Sequence, residues 1–475
     1  MNDVATSPVL AQTWLDRRFR LSERGTTVGR EVTAGATTFT AMAYIVAVNP
    51  AIMANAGMDR SELVIATALA AIFGSVLMGL WANLPLAVAP AMGSNVIFTY
   101  VIVKGMGVPW QGALAMVAST GVIFLALSLS RVREKVAQDI PEVLKVGIQA
   151  AVGMLIVFIG LRGAGVIVAN PSTFVALGSL RSPAVLLTLA GVLLTPVLVA
   201  RRVPGALMLS VAAITLVGLA VPLDGARTVT LAPSALLAWP RWPASMFLAA
   251  DFGWLASHVL IALPLMFYFV CAEFFSTLGT LVGATGAAGL RRTDGSIPSA
   301  TPAFATDALA SIVGPLLGTS VVTAYIESVA GVQAGGRTGL TALTVASFFG
   351  IALFLWPIFV IIPPQATAPA LLLVGVLMVQ GVARIDMSDF SNAMPIVLTL
   401  LLTVLSNNLI NGMALGTLSH ILLSLALGRR RHVTGITWGL PSVPMTMRHR
   451  PPGSLALRVL KDDLAHAHDP DPDQR

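Results

Sequence analysis

The sequence predicts an all-α polytopic membrane protein of about fourteen membrane-spanning segments, counted with the roughly 20 apolar residues that a helical crossing needs. Three observations carry this. Hydrophobic residues make up 56% of the 475, charged residues only 11%, and the mean hydropathy is +0.84, values a soluble domain of this size would not show. Apolar runs recur along most of the chain, punctuated by glycine, proline and charge. The basic residues gather in alternate gaps between these runs, as the positive-inside rule requires of a chain that crosses back and forth.

Residues 1–30 are polar and arginine-rich without the apolar centre of a cleavable signal peptide, and they read as a cytoplasmic leader. The first half is expected to span at 32–54, 62–82, 85–103, 110–130, 142–161, 183–200 and 204–222. The second is expected to span at 255–283, 303–319, 320–336, 338–362, 366–382, 393–406 and 409–428. Gaps after even-numbered spans hold Arg131, Arg133, Lys135 and Lys145, then Arg201 and Arg202, Arg291 and Arg292, Arg337, Arg384, and Arg429 to Arg431. The opposite gaps hold Arg60, Lys104, Arg162, Arg181, Arg227 and Arg241, thinly spread. Both termini are therefore expected in the cytoplasm, with the chain a multi-pass protein of the cell (inner) membrane. The organisation is a leader (1–30), a first inverted repeat of spans 1–7 (31–222), an extracytoplasmic connecting loop (223–254), a second repeat of spans 8–14 (255–430) and a flexible cytoplasmic tail (431–475).

Several function classes are disfavoured. One cysteine, Cys271, builds neither an intramolecular disulfide nor a cysteine metal cluster. The net charge of +7 comes from residues scattered at the ends of apolar runs, without the interleaved aromatics of a nucleic-acid surface. Neither GxxxxGK[ST] nor a strand followed by GxGxxG occurs, which disfavours an ATP-driven pump, and no zinc, haem or serine-triad constellation is visible. No enzyme activity, metal or cofactor is expected. His258 and His420, alone in apolar spans, read as packed neutral side chains.

What remains is a transport site. Glu273 and Glu327 lie inside apolar stretches, where a carboxylate costs roughly 2.5 kcal/mol or more and usually lines an ion or solute path. No Lys or Arg occurs from Asp251 to Leu290, so Glu273 has no local cation. An acid carried between wet and dry surroundings exchanges a proton with them; the alternative is a protonated acid bonded to backbone. Segments 85–103 and 318–336, each third in its half, pass from an extended-looking piece through small residues into a short helix. Such breaks free backbone groups that hydrocarbon cannot satisfy, and interruptions at matching positions point to a solute site. Glu327 stands where extended TAY becomes helical IESVAG, with Tyr325 two residues before it, on the same side of an extended piece; Tyr325 could equally be an interfacial belt residue. Asn95 offers a donor and an acceptor at the other break, or serves as a helix cap. Ser276 and Thr277 follow Glu273 at i+3 and i+4 on one helix face, whereas Thr280 is expected to bond its own helix carbonyl. Met92 and Ser328 complete the candidate substrate contacts.

Four motifs now come together. TTFTAMAYIVAVNPAIMANAGM (37–58), LMGLWANLPLAVAPAMGSN (77–95), FFSTLGTLVG (274–283) and LLGTSVVTAYIESVAGVQAGGRTGLTAL (316–343) resemble the adenine/guanine/hypoxanthine permease branch of the nucleobase-cation symporter family, over a stretch running roughly from residue 20 to residue 430. The resemblance implies two inverted seven-span repeats, a core domain (spans 1–4 and 8–11), a gate domain (spans 5–7 and 12–14) and short strands in spans 3 and 10 that flank the solute. It also implies a homodimer and proton-coupled uptake of a purine nucleobase, with sodium as the other candidate ion. Carried over, Glu273 and Glu327 match the acids of spans 8 and 10 that hold the base and couple the proton, Tyr325 an aromatic neighbour, and Asn95 the end of the GMGxN motif. The chain departs from the branch in three places: Ser276 replaces the aspartate of FDTxGT, Glu273 stands where an aspartate is usual, and Asn407 and Asn408 precede INGMALG. An anion transporter on the same architecture, or a non-transporting membrane receptor, are the alternatives.

Overall fold

The computed structural model describes residues 13–130, 141–224, 227–290, 297, 299–406 and 409–428. Among these, eight helices are long and apolar enough to cross a membrane: Val28–Ala56, Arg60–Ala82, Trp110–Leu129, Glu142–Gly163, Pro183–Ala200, Val259–Ala287, Ala300–Leu317 and Pro364–Arg384. Four shorter apolar helices, Ala206–Gly218, Gly339–Phe354, Phe390–Ser406 and Asn411–Ala426, accompany them. The chain is a multi-pass membrane protein. Arg131, Arg133, Lys135, Arg291, Arg292, Arg429 to Arg431, Asn407, Asn408, the first twelve residues and the tail 431–475 lie outside the described residues.

Local chemistry sets the helix ends. The Asp59 carboxylate accepts from the Glu62 N–H at 2.9 Å and so caps Arg60–Leu77, supplying an acceptor to one of the donors every helix N-terminus leaves free. Gly318, at φ 98°, closes Ala300–Leu317 in the left-handed region open to glycine. The chain can then turn directly into the second broken segment.

Each broken segment contributes one strand. Val88–Pro90 and Val322–Ala324 pair antiparallel, with Val88 opposite Ala324, Ala89 opposite Thr323 and Pro90 opposite Val322. The Ala91 N–H to Val321 carbonyl bond (2.8 Å) and the Tyr325 N–H to Ala87 carbonyl bond (2.9 Å) extend the junction. A two-stranded ribbon has two open edges, and inside a membrane each unpaired group costs several kcal/mol. Both edges are closed the same way. Ser75 Oγ accepts from Val88 N–H (3.0 Å) and donates to its carbonyl (3.1 Å), and Ser311 does the same for Val322 (3.2 and 2.8 Å). The bare Cα of Gly74 and of Gly314 lets each strand lie close, since a Cβ there would meet Val88 Cγ1 at 2.6 Å and Val322 Cγ2 at 2.5 Å. Val88 and Val322 are thus related by a local two-fold through the Ala89–Thr323 pair.

The helices pack in two groups. One contains Val28–Met53, Arg60–Leu77, Trp110–Leu129, Val259–Ala287, Ala300–Leu317 and Gly339–Phe354, and it carries the strand pair. The other contains Glu142–Gly163, Pro183–Ala200, Ala206–Gly218, Pro364–Val379, Phe390–Ser406 and Leu409–Ala426. Extramembrane chain binds the first group on both faces. In the connecting loop, Ala238 N–H donates to Phe354 O (3.0 Å), Leu248 N–H to Leu316 O (2.8 Å), Asp251 N–H to Gln111 O (3.0 Å) and Ser245 Oγ to Glu62 Oε2 (2.7 Å). In the leader, Arg24 Nη1 donates to Asn83 O (2.6 Å) and Arg337 O (2.8 Å), and Glu31 accepts from the Arg337, Thr338 and Thr341 N–H groups at 2.8–3.2 Å. Two hairpins go beyond the expected elements: Ile167–Asn170 with Phe174–Leu177, and Pro222–Asp224 with Arg227–Thr228.

Candidate functional site

The strand pair sits where the helix Val259–Ala287 passes the helix Ala300–Leu317, and the buried acids Glu273 and Asp307 lie on these two helices. Glu273, 1% exposed, accepts from Ser94 Oγ at 3.2 Å with Oε1, while Oε2 has no partner among the described residues. Ser94 belongs to the short helix Met92–Val96 that follows the first strand. Asp307, fully buried, accepts three bonds on Oδ2: from Thr277 Oγ1 (2.7 Å), Thr323 Oγ1 (3.0 Å) and the Ala324 N–H (3.0 Å). Its Oδ1 has none. Glu273 lies within electrostatic reach of Asp307, and among the described residues no cation is paired with either acid. Two carboxyl groups therefore share one dry region, each with an oxygen still open to a donor. Like charges so placed resist simultaneous ionisation, so this region suits a proton, a cation or a solute rich in N–H groups.

Glu327 caps the short helix Ser328–Gln333 by position, and its Oε1 accepts from the Tyr44 hydroxyl at 2.7 Å. It is not hydrogen-bonded to Glu273. Tyr325 lies within electrostatic reach of both acids, 6% exposed, with its hydroxyl donating to the Pro90 carbonyl across the strand pair. That places Tyr325 inside the protein, against the interfacial-belt alternative. Asn95 is fully buried within Met92–Val96, whose N-cap is Ala91, so it is no helix cap; its Nδ2 donates to Asn49 Oδ1 instead. Met92 is 7% exposed on the same short helix, and Gly93 beside it would carry a Cβ within 3.5 Å of Val152 and 3.6 Å of Met378 in the second helix group. Ser328 Oγ accepts from Ala87 N–H at 3.0 Å, tying the second short helix to the first strand.

Two expectations on the helix Val259–Ala287 are corrected. Thr280 donates to the Ala324 carbonyl at 3.3 Å, not to its own helix, because the strand passes within reach and needs a donor. Ser276, expected with Thr277 in the cluster, is exposed: it lies about 60° around the helix from Glu273 on the side away from Thr277, about 100° from the threonine, and the buried face ends between Glu273 and Ser276. Cys271, half-buried two residues before Glu273, lies within electrostatic reach of Lys145 in the second helix group. Asp307, Ser94, Tyr44 and Asn49 belong to the site and are absent from the sequence-based set. The signal for Asp307 is the one used for the other two acids, a carboxylate in an apolar run; its place near the start of the segment expected at 303–319 makes it look like an edge residue, whereas the helix begins at Ala300 and buries it two turns in.

The chain is 39% identical over 434 residues to the adenine permease AdeP of Escherichia coli (strain K12), covering 91% of this chain and 96% of that protein. It is 38% identical over 422 residues to the guanine/hypoxanthine permease PbuO of Bacillus subtilis (strain 168), covering 87% and 96%. Among solved structures, the transmembrane domain of the cyanobacterial bicarbonate transporter BicA superposes with a TM-score of 0.57 at 18% identity, covering 81% of this chain and 97% of that one. The murine Solute Carrier 26 family member A9 anion transporter, in its inward-facing state, gives 0.58 at 14% identity, covering 89% and 74%. These two likenesses establish the fold. A family model described as "Permease family" matches residues 29–412, so the chain belongs to that permease family, within the nucleobase branch that its motifs resemble.

Proposed function

We propose that this protein takes up a purine nucleobase, adenine, guanine, hypoxanthine or a related heterocycle, by proton-coupled alternating access. The observation that carries the reading is the Glu273–Asp307 region, two buried carboxyl groups each with one oxygen that has no partner among the described residues, beside a strand pair and two short helices. The relatives named as adenine and guanine/hypoxanthine permeases support the same substrate class. A carboxylate accepts the N–H groups of a flat heterocycle and, once protonated, donates to its ring nitrogens. In this reading Glu273 and Glu327 hold the base near Tyr325, Asn95, Met92 and Ser328, with Thr277 setting Asp307. The acids exchange a proton as the region passes from wet to dry.

In this reading the eight long helices, the four shorter apolar ones and the two strand-bearing segments count as fourteen crossings. The local two-fold at Val88 and Val322 supports their arrangement as two inverted halves. In the proposed cycle the first helix group is the core that carries the base, and it shifts against the second group, the gate. The protein would act as a homodimer in the inner membrane with both termini in the cytoplasm. An anion is the weaker alternative, because uncompensated carboxyl groups would repel it. The experiment is uptake into proteoliposomes under an imposed proton gradient. Glu273→Gln keeps the side-chain volume but cannot exchange a proton, and gradient-driven accumulation should fall to the level of exchange; undiminished accumulation, or equal drive from a sodium gradient alone, would overturn the coupling.

A further inference from the structure

We infer that Asn49 is a positioning residue that fixes the side-chain amide of Asn95 so that its carbonyl oxygen is offered to the solute as an acceptor, selecting purines that carry an N–H or amino group on the edge facing it. This rests on the nucleobase reading above. An amide's oxygen and nitrogen must be assigned from the hydrogen bonds around them, and here the chain of bonds leaves one assignment. Thr67 Oγ1 donates its single proton to the Leu63 carbonyl at 2.6 Å, and Thr319 Oγ1 turns its proton toward Met53 Sδ at 3.7 Å. Each hydroxyl oxygen can then only accept from Asn49, at 2.7 and 3.0 Å.

Both protons of Asn49 Nδ2 are thereby used, and its oxygen points at Asn95. Asn95 must answer with its nitrogen, because its own oxygen would face another oxygen. The far end of the Asn95 amide is its carbonyl, buried and without a partner among the described residues. Asn95 follows Ser94, the partner of Glu273, on the short helix Met92–Val96. Four residues from three segments, Leu63, Thr67, Thr319 and Asn49, thus remove the two-fold freedom an amide ordinarily has. In this inference the site gains a directed acceptor one residue along the helix from the serine that holds Glu273.

The test uses purified full-length protein and matched purine pairs that differ by one donor, adenine with unsubstituted purine and guanine with hypoxanthine, read by thermal shift and by KM for uptake. Wild type should favour the donor-bearing member of at least one pair. Thr67→Val removes the acceptor that orients Asn49 and should lower that preference by about tenfold, roughly the worth of one buried hydrogen bond. Thr67→Ser should restore it. Thr319→Val, which breaks the other bond of Asn49, should act in the same direction and serves if Thr67→Val does not fold. In an Asn95→Leu background neither change should alter the ratio further. A uniform loss of affinity for every purine, an unchanged ratio in a folded Thr67→Val protein, or no discrimination by wild type would overturn the inference. If wild type binds no purine at all, the nucleobase reading falls first and takes this inference with it.

Discussion

Asp307 uses one carboxylate oxygen to hold three donors from two different elements, and nothing holds the other oxygen among the described residues. Deleting a partner of buried donors costs more than a hydrogen bond adds, because each donor stays dry and unpaired. Asp307→Ala should therefore destabilise the protein by roughly 2–4 kcal/mol, read as a fall in unfolding temperature. Asp307→Asn should do less harm to stability and still abolish purine-induced thermal shift, since the amide oxygen can keep accepting where Oδ2 does, whereas its NH2 can neither accept a donor nor exchange a proton where Oδ1 can. Residues of this kind are where reading the sequence succeeds least evenly. Glu273 and Glu327 are legible because acid in an apolar run is costly wherever it occurs. Asn49, Tyr44 and Ser94 are not, because their types are ordinary in membrane helices and only the fold shows what they face.

At the scale of elements, the long helices are legible because length and hydropathy alone define them. The expected span 183–200 coincides with Pro183–Ala200, and that at 142–161 with most of Glu142–Gly163. The hairpin Ile167–Asn170 with Phe174–Leu177 is not legible: strands of four residues show too little alternation to stand out from the end of an apolar run. The close approach of strand to helix is testable. Gly314→Ala would place a Cβ at 2.5 Å from Val322 Cγ2 and 2.8 Å from the Ser320 carbonyl. It should cost about 1–3 kcal/mol by overpacking and weaken purine affinity, because Val322 cannot retreat without breaking its pair with Pro90. At the start of Arg60–Leu77, the Ser61 hydroxyl and then the Glu62 N–H hold the Asp59 carboxyl below its ordinary value. A lowered folded-state value stabilises above the unfolded value and is lost as pH falls through the folded one. Asp59→Ala should thus cost about 1 kcal/mol at neutral pH as a lost helix cap. The difference from wild type should shrink below pH about 4, the ordinary range of a carboxyl group.

At the scale of the whole molecule, the connecting loop ties into both helix groups: Thr230 N–H donates to the Gly218 carbonyl of the second group at 3.0 Å, and further bonds go to the first. The connecting loop reaches Gln111, Leu316 and Phe354, and the leader reaches Asn83 and Arg337, all in the first group. Arg24→Ala should lower the unfolding temperature by the equivalent of about 1–2 kcal/mol while leaving the ranking of purines unchanged, because it removes two carbonyl contacts remote from Glu273. Glu31 illustrates why such ties are hidden in the sequence. It sits at the expected membrane edge, where charge needs no explanation, yet it is fully buried and caps the start of a helix some three hundred positions later.

Cys271 is the one thiol in the chain. Two residues along a helix turn a side chain about 200°, so this half-buried thiol lies on the face of its helix opposite Glu273. In the proposed cycle the native thiol can therefore serve as a stopwatch for the movement of the helix that carries Glu273. Alkylation of the unmodified chain by a small maleimide should slow or quicken when guanine or adenine is present at saturation, with no engineered cysteine and no fluorophore to disturb the motion being timed.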